Sequence, residues 1–221
     1  VRWATFDCYG TLIDWERGIG EAMLALWPGA SRERLLARYH AVEPLAQEGR
    51  ALAYREVLAR SLRAVAAIEG LPLAESQVGR LAETLPTWPA FPDVAPALEA
   101  LRARGWRLAI LSNTDPDLLA ASIRQIGVAI DLTITAAEAG SYKPARGHWD
   151  RFFALSGATP DQHVHVAASP FHDLAPAAEL GLRSVWINRT GARSDLPRAA
   201  ELPDLTLLPD RLDRLVEPSA W

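Results

Sequence analysis

Four short stretches of the chain carry polar side chains able to act together on an electrophile. Asp7, Tyr9 and Thr11 follow the β-prone segment VRWATFDC at the start, and Ser112, Asn113 and Asp115 follow RLAIL. Lys143 stands in YKP, and Ala168, Ser169, His172 and Asp173 follow HVHVA. A carboxylate fixed at the end of a buried strand, as Asp7 would be, can act as a nucleophile and form a covalent ester. The Lys143 ammonium would offset its charge and keep it ionised. Thr11 can hold Asp7 or its loop through its hydroxyl, and Ser112 and Asn113 can donate to an anionic substrate or leaving group. Taken singly, each has an ordinary reading as a cap, a turn or a solvated charge. What gives them weight is their common position, each just beyond a segment that reads as a strand.

The segments that must position these residues follow a regular order. Strand-like runs at 1–8, 107–111, 132–135, 163–167 and 184–187 alternate with helix-length segments at 94–104, 116–126, 147–156 and 174–180. Such alternation implies βαβ units and a parallel sheet with helices on both faces. In open α/β sheets ligands sit beyond the carboxyl ends of the strands, where the four polar stretches fall. Between the first strand and residue 85 the chain is rich in Ala, Leu, Arg and Glu, with apolar residues at helical spacing (Leu35, Leu36, Tyr39, Val42; then Tyr54, Val57, Leu58, Leu62). This reads as packed helices without a strand. The Pro-rich PTWPAFP, 86–92, reads as a linker. The expected architecture is a doubly wound, Rossmann-like α/β core formed by 1–14 and 86–221, with a helical insertion at 15–85.

Composition bounds the function. The 221 residues carry 23 Lys+Arg and 27 Asp+Glu, a formal net charge of −4, with 49% hydrophobic residues and a single Cys. One cysteine excludes an internal disulfide framework. Low net charge and high apolar content argue against disorder, and the slightly acidic balance argues against nucleic acid as a partner. No apolar run reaches the ~18 residues of a membrane span. No basic stretch precedes a short apolar run at the start, so a cytoplasmic protein is expected. Cys8 alternates away from Asp7 and is expected to be a buried apolar residue. His163 and His165 share one strand face but lack a third ligand at suitable spacing, which favours packing over a metal site.

The four stretches resemble the motifs of the haloacid dehalogenase superfamily: FDCYGTL at 6–12, LSN at 111–113, YKP at 142–144 and VAASPFHD at 166–173. The resemblance implies Asp7, Thr11, Lys143 and Asp173 as catalytic residues, and 15–85 as a cap. Two departures separate this chain from the phosphatases of that superfamily. Tyr9 stands where they carry the Asp that protonates a leaving oxygen, and Ala168 where they carry an acidic metal ligand. Phosphate esters need the acid and the cation, whereas halide leaves unprotonated. Tyr9 is also what the 2-haloacid dehalogenases show. The implied activity is metal-independent hydrolysis of a 2-haloacid through an aspartyl ester on Asp7, with no cofactor. The alternatives kept beside it are a phosphate-ester hydrolase with unusual Mg²⁺ use and a catalytically silent binding protein.

By the same resemblance, Arg38 on the expected helix 32–43 is the candidate halide receptor, with Asn113 sharing the halide; a solvated helix Arg is the ordinary alternative. Tyr9, Trp15, Tyr39 and Phe171 could form an apolar wall or be plain core. Trp149, Pro170 and Ala168 replace a Tyr, an Asn and a Ser that position water or substrate in the family. His172 is read either as a replacement base or donor, or as a cap of the following helix. The expected partner is one small 2-substituted acid, with a homodimer left open and with neither nucleic acid nor membrane.

Overall fold

The computed structural model describes residues 1–47 and 53–217. Its centre is a six-stranded parallel sheet in the order β3-β2-β1-β4-β5-β6. The strands are β1 (Arg2–Phe6), β2 (Trp106–Ser112), β3 (Leu132–Thr135), β4 (His163–Ala167), β5 (Ser184–Ile187) and β6 (Ala200–Leu202). The chain winds outward from β1 to β3, then returns to place β4 on the other flank of β1. The crevice at the carboxyl ends of β1 and β4 is therefore the topological switch point.

Alternation along the central strands sends side chains to two buried layers. Ala4, Phe6, Leu108, Ile110, Val164 and Val166 join the larger core, while Trp3, Ala109 and Leu111 pack with Trp149, Phe152 and Ala177 on the opposite face. On this second face β4 also presents His163 and His165, both fully buried.

The helices are α1 (Trp15–Leu26), α2 (Arg32–Gln47), α3 (Tyr54–Glu69), α4 (Arg80–Thr84), α5 (Val94–Ala103), α6 (Pro116–Ile126), α7 (Ala136–Ala139), α8 (Gly147–Ser156), α9 (Ala175–Glu179) and α10 (Leu208–Leu215). The first four lie between β1 and α5, with no named strand among the described residues there. Asp14 caps α1 by accepting a hydrogen bond from the Arg17 N–H at 3.1 Å. A core residue caps α3: the Asp115 carboxylate accepts the Tyr54 N–H at 2.8 Å and the Arg55 N–H at 3.1 Å. Arg55 returns ion pairs to Asp115 and Asp117. The carboxylate thus complements the positive end of a helix in the insertion and ties it to the rim that carries Asn113.

Two sequence expectations are corrected. The 86–92 seam is no free linker. Trp88 is buried against Gly18, where an added Cβ would fall 2.2 Å from the Trp88 ring, so the indole occupies the space a side chain would need. The segment expected as a helix from 174 begins earlier, as a π-helical turn at Pro170–Leu174. β6 and α10 were not foreseen. Among the described residues no helix is long and apolar enough to cross a membrane.

Candidate active site

Lys143 organises the rim. Its Nζ donates to Asp7 Oδ1 at 2.9 Å and to Asp173 Oδ1 at 2.7 Å. All three side chains are buried, with Asp7 retaining 9% exposure. Buried charges are tolerable only when paired, and here one ammonium serves two carboxylates. Burial alone would push Asp173 up, but Lys143 and a hydrogen bond from His165 outweigh it and hold this carboxyl well below the usual range. Burial likewise opposes the charge of Lys143, yet Asp173 and Asp7 raise its affinity for the proton above the ordinary lysine value.

Each partner is held by its own loop. Thr11 Oγ1 donates to Asp7 Oδ2 at 2.9 Å and accepts the Ala168 N–H at 2.9 Å, tying the loop after β1 to the loop after β4. Asn113 clamps the backbone of Lys143 at two points: its Nδ2 donates to the Lys143 carbonyl at 3.0 Å and its Oδ1 accepts the Lys143 N–H at 2.7 Å. One N–H of this amide stays available, and Asn113 lines the cavity described below. Asp173 is delivered by the π-turn, an irregularity common at functional positions, whose first turn is closed by Ser169 Oγ accepting the His172 N–H at 3.1 Å. The cap at this point is thus Ser169 and not His172.

A cavity of about 410 Å³ opens over these groups, within the usual range for small ligands. Its floor includes Asp7, Tyr9, Ser112, Asn113, Lys143, His172 and Asp173. From the insertion come Trp15, His40, Glu43, Gln47 and Tyr54. His40, Glu43 and Gln47 recur at helical spacing on α2, one face turned to the site. The sequence shows that spacing, but only the packing of α2 shows that this face, and not the one carrying Arg38, turns to the site.

Tyr9 does not take over the missing acid. Its hydroxyl is 3.0 Å from Ser122 Oγ, its ring stacks on Tyr54, and burial pushes its pKa up, so it serves as a neutral wall. His172 faces the cavity with Nδ1 3.2 Å from Ser169 Oγ, and burial lowers its pKa, favouring the neutral ring. Cys8 is fully buried, which pushes its thiol up and makes it a poor nucleophile.

Four expected site residues are not brought to the cavity, and one of them, Tyr39, is fully buried in the core. Arg38 is on the exposed side of α2 and pairs with Glu69 at 2.7 Å, because Leu35, Leu36, Tyr39 and Val42 claim the buried face. Trp149 is buried beneath β4 with its ring 5.3 Å from that of His165. Phe171 is 65% exposed on the outside of the π-turn. In the other direction, His165 was assigned only to packing, yet its Nε2 lies 2.9 Å from Asp173 Oδ1.

The phosphatases of the superfamily imply a divalent cation, and the residues here do not fit one. Ala168 offers a methyl group where an acidic ligand would stand, Tyr9 aims at Ser122, and the Lys143 ammonium already bridges the two carboxylates that remain. Mg²⁺ requires near-octahedral oxygen ligation. Among the described residues no group of three or more His, Cys, Asp or Glu is placed to hold a metal ion.

The fold and this four-loop rim define a hydrolase of the haloacid dehalogenase class. The family described as haloacid dehalogenase-like hydrolase matches residues 1–181, and the chain belongs to it. The chain is 29% identical over 208 residues to haloacetate dehalogenase H-2 of Moraxella sp. (strain B), covering 91% of each. It is 32% identical over 120 residues to the phosphoserine phosphatase of Thermus thermophilus, covering 53% of this chain and 47% of that one. Among solved structures it superposes on the L-2-haloacid dehalogenase RSc1362 with a TM-score of 0.85 at 25% identity, covering 95% of this chain and 97% of the other.

Proposed function

We propose that this protein hydrolyses the carbon–halogen bond of a short 2-haloacid without a metal ion. The observation that carries the reading is the Lys143 ammonium held between Asp7 and Asp173, at a rim where Ala168 and Tyr9 replace the groups that phosphoryl transfer needs. Asp7 attacks Cα in line, the carbon–halogen electron pair leaves as halide, and an aspartyl ester forms. Water then attacks Cγ of Asp7. Asp173 takes one proton from that water and returns it to the departing oxygen, which leaves as a 2-hydroxy acid of inverted configuration. The regenerated Asp7 carboxyl sheds the remaining proton to solvent. Each turnover yields one hydroxy acid, one halide and one proton.

Lys143 offsets charge in both steps, Thr11 orients Asp7, and Ser112, Asn113 and His172 provide polar contacts for the substrate or leaving group. Residues 15–85 act as a cap over the core formed by 1–14 and 86–221. The same reading includes a cytoplasmic location and leaves room for a homodimer. The whole-length likeness to a haloacetate dehalogenase supports it, and the half-length likeness to a phosphatase favours the second reading, phosphate-ester hydrolysis, more weakly.

Halide release from chloroacetate, fluoroacetate and both enantiomers of 2-chloropropionate, measured with EDTA, tests the proposal. Chelator-resistant halide release is expected. Release of nitrophenol from its phosphate only with Mg²⁺, and no halide, would replace it with the second reading.

A further inference from the structure

The face of the sheet behind the site holds a polar chain that the reaction above does not use. β1 and β4 pair in register, Thr5 beside His165 and Trp3 beside His163. Thr5 Oγ1 therefore sits between two imidazoles, 2.8 Å from His163 Nε2 and 2.8 Å from His165 Nδ1. His165 Nε2 continues the chain to Asp173 Oδ1 at 2.9 Å. Thr5, His163, His165 and Asp173 are all fully buried. Three hydrogen bonds in a row through a hydrophobic layer are costly to build and must be mutually consistent.

One polarity satisfies them. The Thr5 hydroxyl has a single proton for two ring nitrogens. A carboxylate oxygen requires a donor, so His165 presents Nε2–H to Asp173 and its Nδ1 accepts from Thr5. Thr5 in turn accepts from His163 Nε2–H. The chain then ends at His163 Nδ1, which has no hydrogen-bond partner and lies in a ring packed against Phe152 and Phe153. A bare lone pair there is less costly than the bare N–H that the reversed polarity would leave. Burial lowers the pKa of His163 to about 3, so that ring stays neutral.

The consequence lies in the two oxygens of Asp173. Oδ1 takes both donors, Lys143 and His165. Oδ2 is buried and takes none, while Asp173 itself lines the cavity. We propose that Thr5, His163 and His165 form a positioning relay that fixes Asp173 with Oδ2 as its only oxygen without a hydrogen-bond partner, so that Oδ2 receives the proton of the water that cleaves the Asp7 ester. This rests on the aspartyl-ester reading and assigns the relay to its second step. None of the three touches substrate. They act through Asp173, and Trp149 keeps the His165 ring in place by packing edge-on against it.

The variant Thr5→Val removes the hydroxyl at nearly constant volume, and Thr5→Ser restores it. With 2-chloropropionate or chloroacetate, Thr5→Val should release a first equivalent of halide at the wild-type rate. Its steady-state turnover should fall about tenfold or more, while the Asp7 ester accumulates in the intact mass spectrum. Thr5→Ser should return turnover toward wild type without ester build-up. Equal slowing of both steps, or Thr5→Val turning over normally, would overturn the assignment. A second arm needs no substrate: ¹⁵N spectra of the histidines should show His165 and His163 as neutral Nε2–H tautomers. A His165 imidazolium or Nδ1–H tautomer would overturn the relay. Absence of halide release from the wild-type protein would instead overturn the parent reading and the step assigned here with it, and the tautomers would then decide the polarity alone.

Discussion

Lys143 Nζ lies 2.9 Å from Asp7 Oδ1 with both side chains largely removed from water. The pair joins the loops after β1 and β3, 136 residues apart in sequence, at one rim of the sheet. Removing one partner leaves a buried charge uncompensated, which typically costs about 3–5 kcal/mol. Lys143→Met is therefore expected to lose stability of that order in urea unfolding and to abolish halide release. Asp7→Asn, which keeps the shape, should fold and be inactive. Normal turnover by Asp7→Asn would remove the nucleophile assignment.

Acid sensitivity follows from the buried histidines. Burial lowers the pKa of His163 to about 3 and that of His148 to about 4. Their folded values lie below the unfolded value of about 6.5, so the stability they confer is complete above that pH and is lost as pH falls toward the folded values. Near pH 5 unfolding should take up roughly two protons from these sites. Asp173, whose value is also lowered, adds its loss only below the ordinary carboxylate range. Urea unfolding from pH 7.5 to 4.5 measures the slope, and a flat profile between 6 and 4.5 would contradict this account of the interior.

Asp115 should act as the tie between the insertion and the rim. Its carboxylate caps the first turn of α3 and also binds the Arg55 side chain. Asp115→Ala is expected to cost about 1 kcal/mol or somewhat more, the usual worth of an N-cap. Amide hydrogen exchange in the first turn of α3 should rise more than in β1 or β2. Uniform acceleration across the sheet would argue against a local tie.

Arg38 makes a prediction by its position. Its half-exposed guanidinium pairs with Glu69 and does not line the cavity. Arg38→Ala should leave kcat/KM within about twofold of wild type, because uncoupled surface changes are usually small. A collapse of activity would mean that α2 presents a different face to the bound substrate.

The core was legible because parallel strands announce themselves twice, as short β-prone runs and as the places after which polar residues cluster. Asp7, Lys143 and Asp173 could be set on one rim without any knowledge of distance. Rotation about a helix axis was not legible in the same way. Arg38 and His40 are two residues apart on α2, and only the packing of Leu35, Leu36, Tyr39 and Val42 decides which of them faces the cavity. Trp149 posed a related problem, since its place beneath the sheet depends on the side from which α8 packs. The HxH pattern of β4 was visible, but its use depends on Thr5 standing beside it in the neighbouring strand, a register that the sequence does not print. β6 is hard to read because a three-residue strand carries little periodic signal, whereas α10 does show a helical stripe, with Leu208 and Leu212 buried among charged residues.

The central claim, that Asp7 becomes the ester and water cleaves it at Cγ, is tested most directly by a single turnover in H₂¹⁸O with enzyme in excess over 2-chloropropionate. The account predicts ¹⁸O in the Asp7 carboxylate, found by peptide mass spectrometry, and unlabelled oxygen on C2 of the lactate formed. Labelled lactate from that first turnover, with Asp7 unlabelled, would show that water attacks the substrate directly and would contradict it.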